Sequence, residues 1–372
     1  MTLYFRKAGV VCAVFLIAAS VIVGADKPKS VILVISDGTG VSQITSLRYA
    51  EEDFQFSRFS VVGLFTTHAN DKLITDSAAG GTAFATGQKT NNGMVAMLPD
   101  GTRIQTVLEL VEKQGKATGL VATSQITHAT PATFSAHVED RDNEMEIARQ
   151  QAVAGIEVML GGGQQFFAEN DSGDLTKQMQ EDGYRYISTK QTLESVNTQS
   201  TEKLIGLFAK KGMPTASKRD ISLAQMTQTA TEILDNDEDG FFLMVEASQV
   251  DWAGHDNDGP EVVAEMQDMN SALKWMLDYR ESHPDVLVLW VSDHETGGMA
   301  IGYGVSGHER EGVNVDYGPT AQKGRMEFGW TSDGHTGQMI PAFAIGPGAE
   351  HFSGVYDNTD IGKRLFKLLR SD

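Results

Sequence analysis

Five short stretches of the chain, 31–35, 119–122, 241–245, 286–291 and 342–345, are apolar at every position or nearly so. A strand with one wet face alternates apolar and polar residues, whereas a strand buried on both faces does not. Amphipathic helical stretches at 103–114, 143–154 and 260–281 lie between several of these runs. Apolar strands alternating with helices predict an α/β fold, a mostly parallel central sheet with helices on both faces. Neither a repeat nor a low-complexity linker interrupts residues 26–372, which are expected to form a single domain.

The first 25 residues stand apart. Arg6 and Lys7 precede a largely apolar run that ends in the small residues Val23-Gly24-Ala25. That pattern predicts a secretory signal peptide over 1–25 and a periplasmic or secreted product, with no membrane attachment after its removal. Cys12, the only cysteine, falls inside the leader. Without Arg6 and Lys7, 28 basic residues face 50 acidic ones, a formal charge of −22. So acidic a chain offers no basic footprint to a nucleic acid. It has 38 glycines and 9 prolines among 372 residues and no cross-link in the mature chain, features that loosen loops and predict modest thermal stability.

Three of the apolar runs end in carboxylates: Asp37 follows the first, Glu246 the third and Asp293 the fourth. Ligands in open α/β sheets bind at the carboxyl ends of strands. One such carboxylate is as readily a turn residue, but three point to a shared polar site. Asp251 and His255, four residues apart, would face the same way on a helical turn and could share a metal. Asp293-His294 and the glycine-flanked His335 add further nitrogen and oxygen donors of the kind that zinc and magnesium accept. A lone histidine is more often a satisfied polar residue, so the weight lies in the combination. Ser77 heads a run of small residues, Ala78-Ala79-Gly80-Gly81. It reads either as a helix cap or as a nucleophile whose helix N-terminus aims amides at an anion.

Taken together, these segments resemble the alkaline phosphatase family. The resemblance rests on Ile35-Ser36-Asp37-Gly38, Asp76-Ser77-Ala78-Ala79, Thr130-Pro131-Ala132, His137-Val138, Val245-Glu246-Ala247-Ser248 through Asp251 and His255, Asp293-His294-Glu295, and His335-Thr336-Gly337. Their order and spacing span nearly the whole mature chain. The resemblance implies hydrolysis of small-molecule phosphate monoesters through a phosphoserine on Ser77, with two zinc ions and one magnesium. It assigns Asp251, His255 and His335 to the first zinc and Asp37, Asp293 and His294 to the second. Asp37 would also bridge to a magnesium completed by Thr130 and Glu246. Arg141, which alone would read as a solvated surface charge, becomes the clamp on two phosphate oxygens. Three divalent ions, Arg141, four carboxylates and an ionised Ser77 leave about two positive charges locally, a match for a monoester dianion. The resemblance also implies a homodimer, and surface insertions of longer members must be reduced here.

His128 and Trp252 fall where members of the family differ and would tune the site or simply pack, while His137 is best read as structural. All the assigned residues address phosphate and none a leaving group, which predicts broad specificity. Two alternatives stay in view. A phosphodiesterase of the same superfamily is disfavoured by Thr130, Glu246 and Arg141, and a non-catalytic periplasmic metal- or phosphate-binding protein would not need Ser77. A sulfatase would need a cysteine, or Pro and Arg after Ser77, and has neither.

Overall fold

The computed structural model describes residues 27–302, 312–317 and 322–371. The expected leader at 1–25 lies outside them. Ten strands make the central sheet: β1 (Ser30–Ser36), β2 (Val61–Thr66), β3 (Ala117–Gln125), β4 (Val158–Gly162), β5 (Arg185–Ile187), β6 (Leu204–Leu207), β7 (Phe241–Ala247), β8 (Val286–Val291), and, after five shorter or outlying strands, β14 (Ile340–Ile345) and β15 (Gly354–Asp357). Their order is β15-β2-β14-β8-β1-β7-β3-β4-β6-β5. Neighbours pair in parallel except around β14, which is antiparallel to both β2 and β8. The mostly parallel α/β architecture is therefore as expected, with one reversed strand that an apolar run cannot announce.

The reason for the unbroken apolar runs is visible in β1. Ile32 and Val34 belong to one hydrophobic core and Val31, Leu33 and Ile35 to another, so alternate side chains feed opposite faces. The long helix Gly259–Ser282 covers the first face through Met266, Met269, Leu273 and Met276. The C-terminal helix Thr359–Leu369 covers the second through Ile361 and Leu365. Each fully buried side chain of this kind contributes about 1.5–3 kcal/mol of transfer free energy, so a polar residue in these runs is tolerated only where function holds it.

Two boundaries differ from the sequence reading. The helix expected over 103–114 starts at Val107, because Thr106 accepts the Glu109 amide while Glu109 reaches back to the Thr106 amide, and this capping box fixes the start. The apolar run at 342–345 lies in β14 but is not the last strand, since β15 follows and pairs with β2. The remaining strands lie outside the main sheet. β10 (Ala300–Ile301), β11 (Gly312–Tyr317) and β12 (Gln322–Gly329) form a three-stranded antiparallel sheet, and β9 (Glu295–Thr296) pairs with β13 (His335–Thr336).

Candidate active site and metal centre

β8, β1, β7 and β3 are adjacent in the sheet, and all four end on the same edge. Register pairs Ile35 with Glu246 on one side and with Val291 on the other. Asp37, Glu246 and Asp293 consequently emerge beside one another, all three fully buried. Glu246 sits within β7 and not after it, one residue before the strand ends at Ala247. Gly38 makes the first turn possible: its φ is +71°, and a Cβ there would lie 2.5 Å from the Asp251 Cα.

The helix Ser77–Thr86 delivers Ser77 to this edge. Asp76, not Ser77, is its cap, with Oδ1 accepting the Ala79 amide at 2.9 Å. Ser77 is thus the first helical residue, its hydroxyl free of capping duty, with Oγ 3.4 Å from Nε2 of His294. The small residues behind it serve packing: a Cβ on Gly80 would lie 2.9 Å from the Asp293 Cβ, and one on Gly81 2.7 Å from the Thr133 hydroxyl.

Nitrogen and oxygen donors gather into three groups, each with its ligand atoms within 4.8 Å of one another: Asp251, His255 and His335; Asp37, Asp251 and His294; and Asp37, His128 and Glu246. In the first, Nδ1 of His255 lies 2.6 Å from the Asp333 carbonyl and Nδ1 of His335 2.9 Å from the Thr75 carbonyl. Carbonyls only accept, so both Nδ1 atoms carry protons and both Nε2 lone pairs point inward, 3.1 Å apart and 3.5–3.6 Å from Oδ1 of Asp251. Thr296 fixes Asp251 by donating to the same oxygen at 2.5 Å. Rings of His294 and His335 stack at 3.5 Å, joining the first group to the second.

Polar atoms this deeply buried are normally bonded. Yet both oxygens of Asp37, Oε1 of Glu246, the Thr130 hydroxyl and Nδ1 of His128 have no hydrogen-bond partner among the described residues. Five unsatisfied donors and acceptors around one point fit cation ligation. Electrostatics agree: burial, then the charges of Asp293, Asp251 and Glu246, raise the Asp37 carboxyl well above its ordinary range. Burial, with Asp293 adding to it, pushes Glu246 up to about 7 against donation from Ser248 and Ser124. For Asp293 burial acts the same way and is the largest single effect, but the charge and hydrogen bond of His294, with Asp37 and the His335 charge, together outweigh it and hold the carboxyl below its usual range.

Arg141 is no surface charge. Its Nη1 donates to Oδ2 of Asp76 at 3.0 Å and its Nη2 lies 3.2 Å from Nε2 of His128. Burial opposes its charge, but Asp76 more than compensates, so the guanidinium titrates above its ordinary value. Burial and Arg141 together push the His128 imidazole down to about 3, which keeps it neutral. Since a guanidinium only donates, Nε2 accepts from Arg141, and a lone pair for a cation becomes available when that contact is given up.

The structure thus brings Asp37, Ser77, Glu246, Asp251, His255, Asp293, His294 and His335 together, with Thr130 and Arg141 at the same edge. Sequence reasoning gave no role to Asp76 and left His128 open between tuning the site and packing. Asp76 is the shared anchor of the helix start and of Arg141, and its position before Ser77 was the available signal. His128, two residues before Thr130, lies with Asp37 and Glu246 in the third group, so of its two readings the one beside the site is the one the geometry supports. Trp252 lies edge-on to His128 with ring centroids 5.9 Å apart. His137 bonds the Ala96 carbonyl and Glu109, both away from this edge, and is structural.

A family model described as alkaline phosphatase matches residues 28–316 and 306–371. Alkaline phosphatase 3 of Bacillus subtilis is 36% identical over 420 aligned positions, covering 93% of this chain and 90% of the relative. The alkaline phosphatase of the Antarctic bacterium TAB5 superimposes with a TM-score of 0.83 at 34% identity, over 93% of this chain and 99% of that one. A variant of the TAB5 protein with one histidine changed to glutamate, equally similar at TM-score 0.83 and 32% identity over the same shares of the two chains, is described with magnesium bound in its M3 site.

Proposed function

Since the chain belongs to the alkaline phosphatase family, the enzymes that hydrolyse phosphate monoesters, we propose that it does so by forming a phosphoserine on Ser77. The observation that carries this is the convergence of one serine, at a helix N-terminus, with three donor groups and a partly buried arginine. We assign Asp251, His255 and His335 to a first zinc and Asp37, Asp293 and His294 to a second. Asp37, Glu246, Thr130 and also His128 are assigned to a third cation. The imidazole suits that site to zinc as well as to the magnesium read from the sequence. When bound, these cations would supply the positive charge that ionises the serine hydroxyl and a water and stabilises the phosphoryl oxygens.

The chain's own residues supply position. Asp76 holds the Arg141 guanidinium, whose remaining donors would take two phosphoryl oxygens in a bidentate grip. Ser77 Oγ attacks phosphorus from the His294 side, forming the serine ester as the bond to the leaving oxygen breaks on the Asp251–His255–His335 side. Water entering from that second side then forms a bond to phosphorus and releases Ser77 and inorganic phosphate. Phosphoryl transfer has a loose transition state, so orientation and fixed charge account for most of the acceleration.

The acidic surface and the 1–25 leader support an exported protein, and among the described residues no helix is long and apolar enough to cross a membrane. The homodimer implied by resemblance belongs to this proposal too. The test is hydrolysis of p-nitrophenyl phosphate beside its bis-nitrophenyl diester at alkaline pH, with and without chelator. Fast monoester cleavage, abolished by chelator and restored by zinc with magnesium, is expected. Preference for the diester would move the chain to phosphodiester chemistry, and turnover of neither would leave a binding protein.

A further inference from the structure

A cavity of about 450 Å³ opens beside the first donor group, lined by Lys72 to Asp76 with Asn92 and His335. His335 belongs to both the cavity and the Asp251–His255–His335 group, so whatever leaves phosphorus on that side enters this space. From the cavity's lining we infer that it is a leaving-group subsite, suited to phosphate monoesters whose alcohol half combines an apolar body with a distal anion. This inference rests on the phosphomonoesterase reading and refines its expected breadth.

Three observations carry it. First, the segment is held firmly although it is a loop. Ala69 donates to the Lys72 carbonyl at 3.0 Å, the Asn92 amide to Asp71 at 2.9 Å, and the Asn92 side chain to the Ile74 carbonyl at 3.0 Å. Asn92 also accepts the Asp76 amide at 3.0 Å, and His335 bonds the Thr75 carbonyl. A rigid wall loses little entropy when a ligand meets it. Second, this wall presents apolar surface to solvent. Leu73 is 80% exposed, the highest value among the exposed large hydrophobic residues, and Ile74 packs next to Gly337, which a Cβ would bring within 3.1 Å of its Cδ1. Third, among the described residues none makes a hydrogen bond or ion pair with the Lys72 ammonium, which lines the cavity. The acids nearest in sequence are engaged, Asp71 by the Asn92 amide and Asp76 by Arg141, Ala79 and Gly93. In a chain this acidic, a cation of this kind among the lining residues adds a local positive field to the cavity.

The subsite is tested with the metal-loaded full chain and two esters that differ only in the distal anion, phenyl phosphate and 4-carboxyphenyl phosphate. Comparing each ester across enzymes cancels the difference in leaving-group acidity. Replacing Lys72 by Gln (K72Q) is expected to lower kcat/KM for the carboxylated ester by about three- to fivefold, the scale of an exposed ion pair, with phenyl phosphate nearly unchanged. That selective loss should shrink in about 0.5 M salt, where the Debye length is roughly 4 Å. Leu73→Ser should lower both aryl esters about threefold relative to glycerol 2-phosphate, from lost apolar contact. Equal effects of K72Q on the two aryl esters would overturn the subsite while leaving the phosphomonoesterase reading intact. Failure of the unaltered enzyme to turn over phenyl phosphate would overturn both.

Discussion

Replacing Arg219 by Met should destabilise the protein, and more so as pH rises. Arg219, Glu265 and Asp268 form a buried ion cluster with side chains only 2%, 1% and 13% exposed. Arg219 bonds Glu265 and lies 3.1 Å from Asp268, while the two carboxylates accept the Ala216 and Leu223 amides. The cluster thereby pins the 213–222 loop to the long helix. Gln249, next to the ligand-bearing turn, donates to the Met213 carbonyl at the start of that loop. Methionine keeps the stem volume and removes the charge together with the donors to Glu265 and the Pro214 carbonyl. Breaking a buried pair from one side costs about 3–5 kcal/mol, which for a chain of this size lowers Tm by about 5 °C.

The pH dependence follows from Glu265. Burial, against the pull of Arg219, already raises its carboxyl to about 7 in the native enzyme. A carboxyl raised above its unfolded value, about 4.3, binds more protons folded than unfolded, so stability falls as pH climbs through that window. The native enzyme exhausts this loss just above pH 7. Without Arg219 the carboxyl rises further, and the loss continues to pH 8. The destabilisation of the variant should therefore grow by about 1 kcal/mol between pH 6 and pH 8. Urea unfolding at both pH values, read by intrinsic fluorescence, measures it. A penalty below about 1 kcal/mol, or one identical at pH 6 and pH 8, would refute the account of a buried, uncompensated carboxylate. Glu265→Gln in the Arg219→Met background should recover part of the loss by removing that charge.

Three further outcomes follow from the site. Ser77→Ala should lower kcat/KM by at least about a thousandfold and abolish the acid-stable phosphoenzyme trapped from labelled phosphate, as loss of a covalent nucleophile does. Retained labelling would remove Ser77 from that role. Chelation should lower Tm, because cations bound only by the folded chain stabilise it by about 4 kcal/mol at a thousandfold excess over Kd. A Tm indifferent to chelator would contradict ligation by the unpartnered Asp37 and Glu246 oxygens. His128→Asp replaces a nitrogen donor with a hard oxygen and should raise the magnesium-to-zinc ratio retained after dialysis against equal concentrations of both. An unchanged ratio would place His128 outside the third site.

Much of this was legible in the chain itself, and the reasons are local. Strands buried on both faces must be apolar throughout, so β1, β3, β7 and β8 could be read directly, and with them the parallel sheet. A carboxylate ending such a run is costly unless function holds it, which singled out Asp37, Glu246 and Asp293. Asp251 and His255 were legible because helical spacing alone sets them on one side. Arg141 had only the family pattern behind it: its burial depends on Asp76, 65 positions away, which no local spacing encodes.

Tertiary structure decided the rest because those facts depend on contacts between segments far apart in sequence. The order β8-β1-β7-β3 turns three separate carboxylates into one site, and the reversal of β14 arises from pairing that its own residues do not specify. Lone pairs of His255 and His335 point inward because backbone carbonyls of Asp333 and Thr75 hold their opposite nitrogens. The sequence by itself determined which residue types could bind metal and phosphate. Only the fold decided that His128 would stand beside Asp37 and Glu246, that Asp76 would cap a helix and hold an arginine at once, and that Lys72 and Leu73 would line a cavity shared with His335. Local chemistry is written residue by residue, whereas proximity is a property of the packed chain.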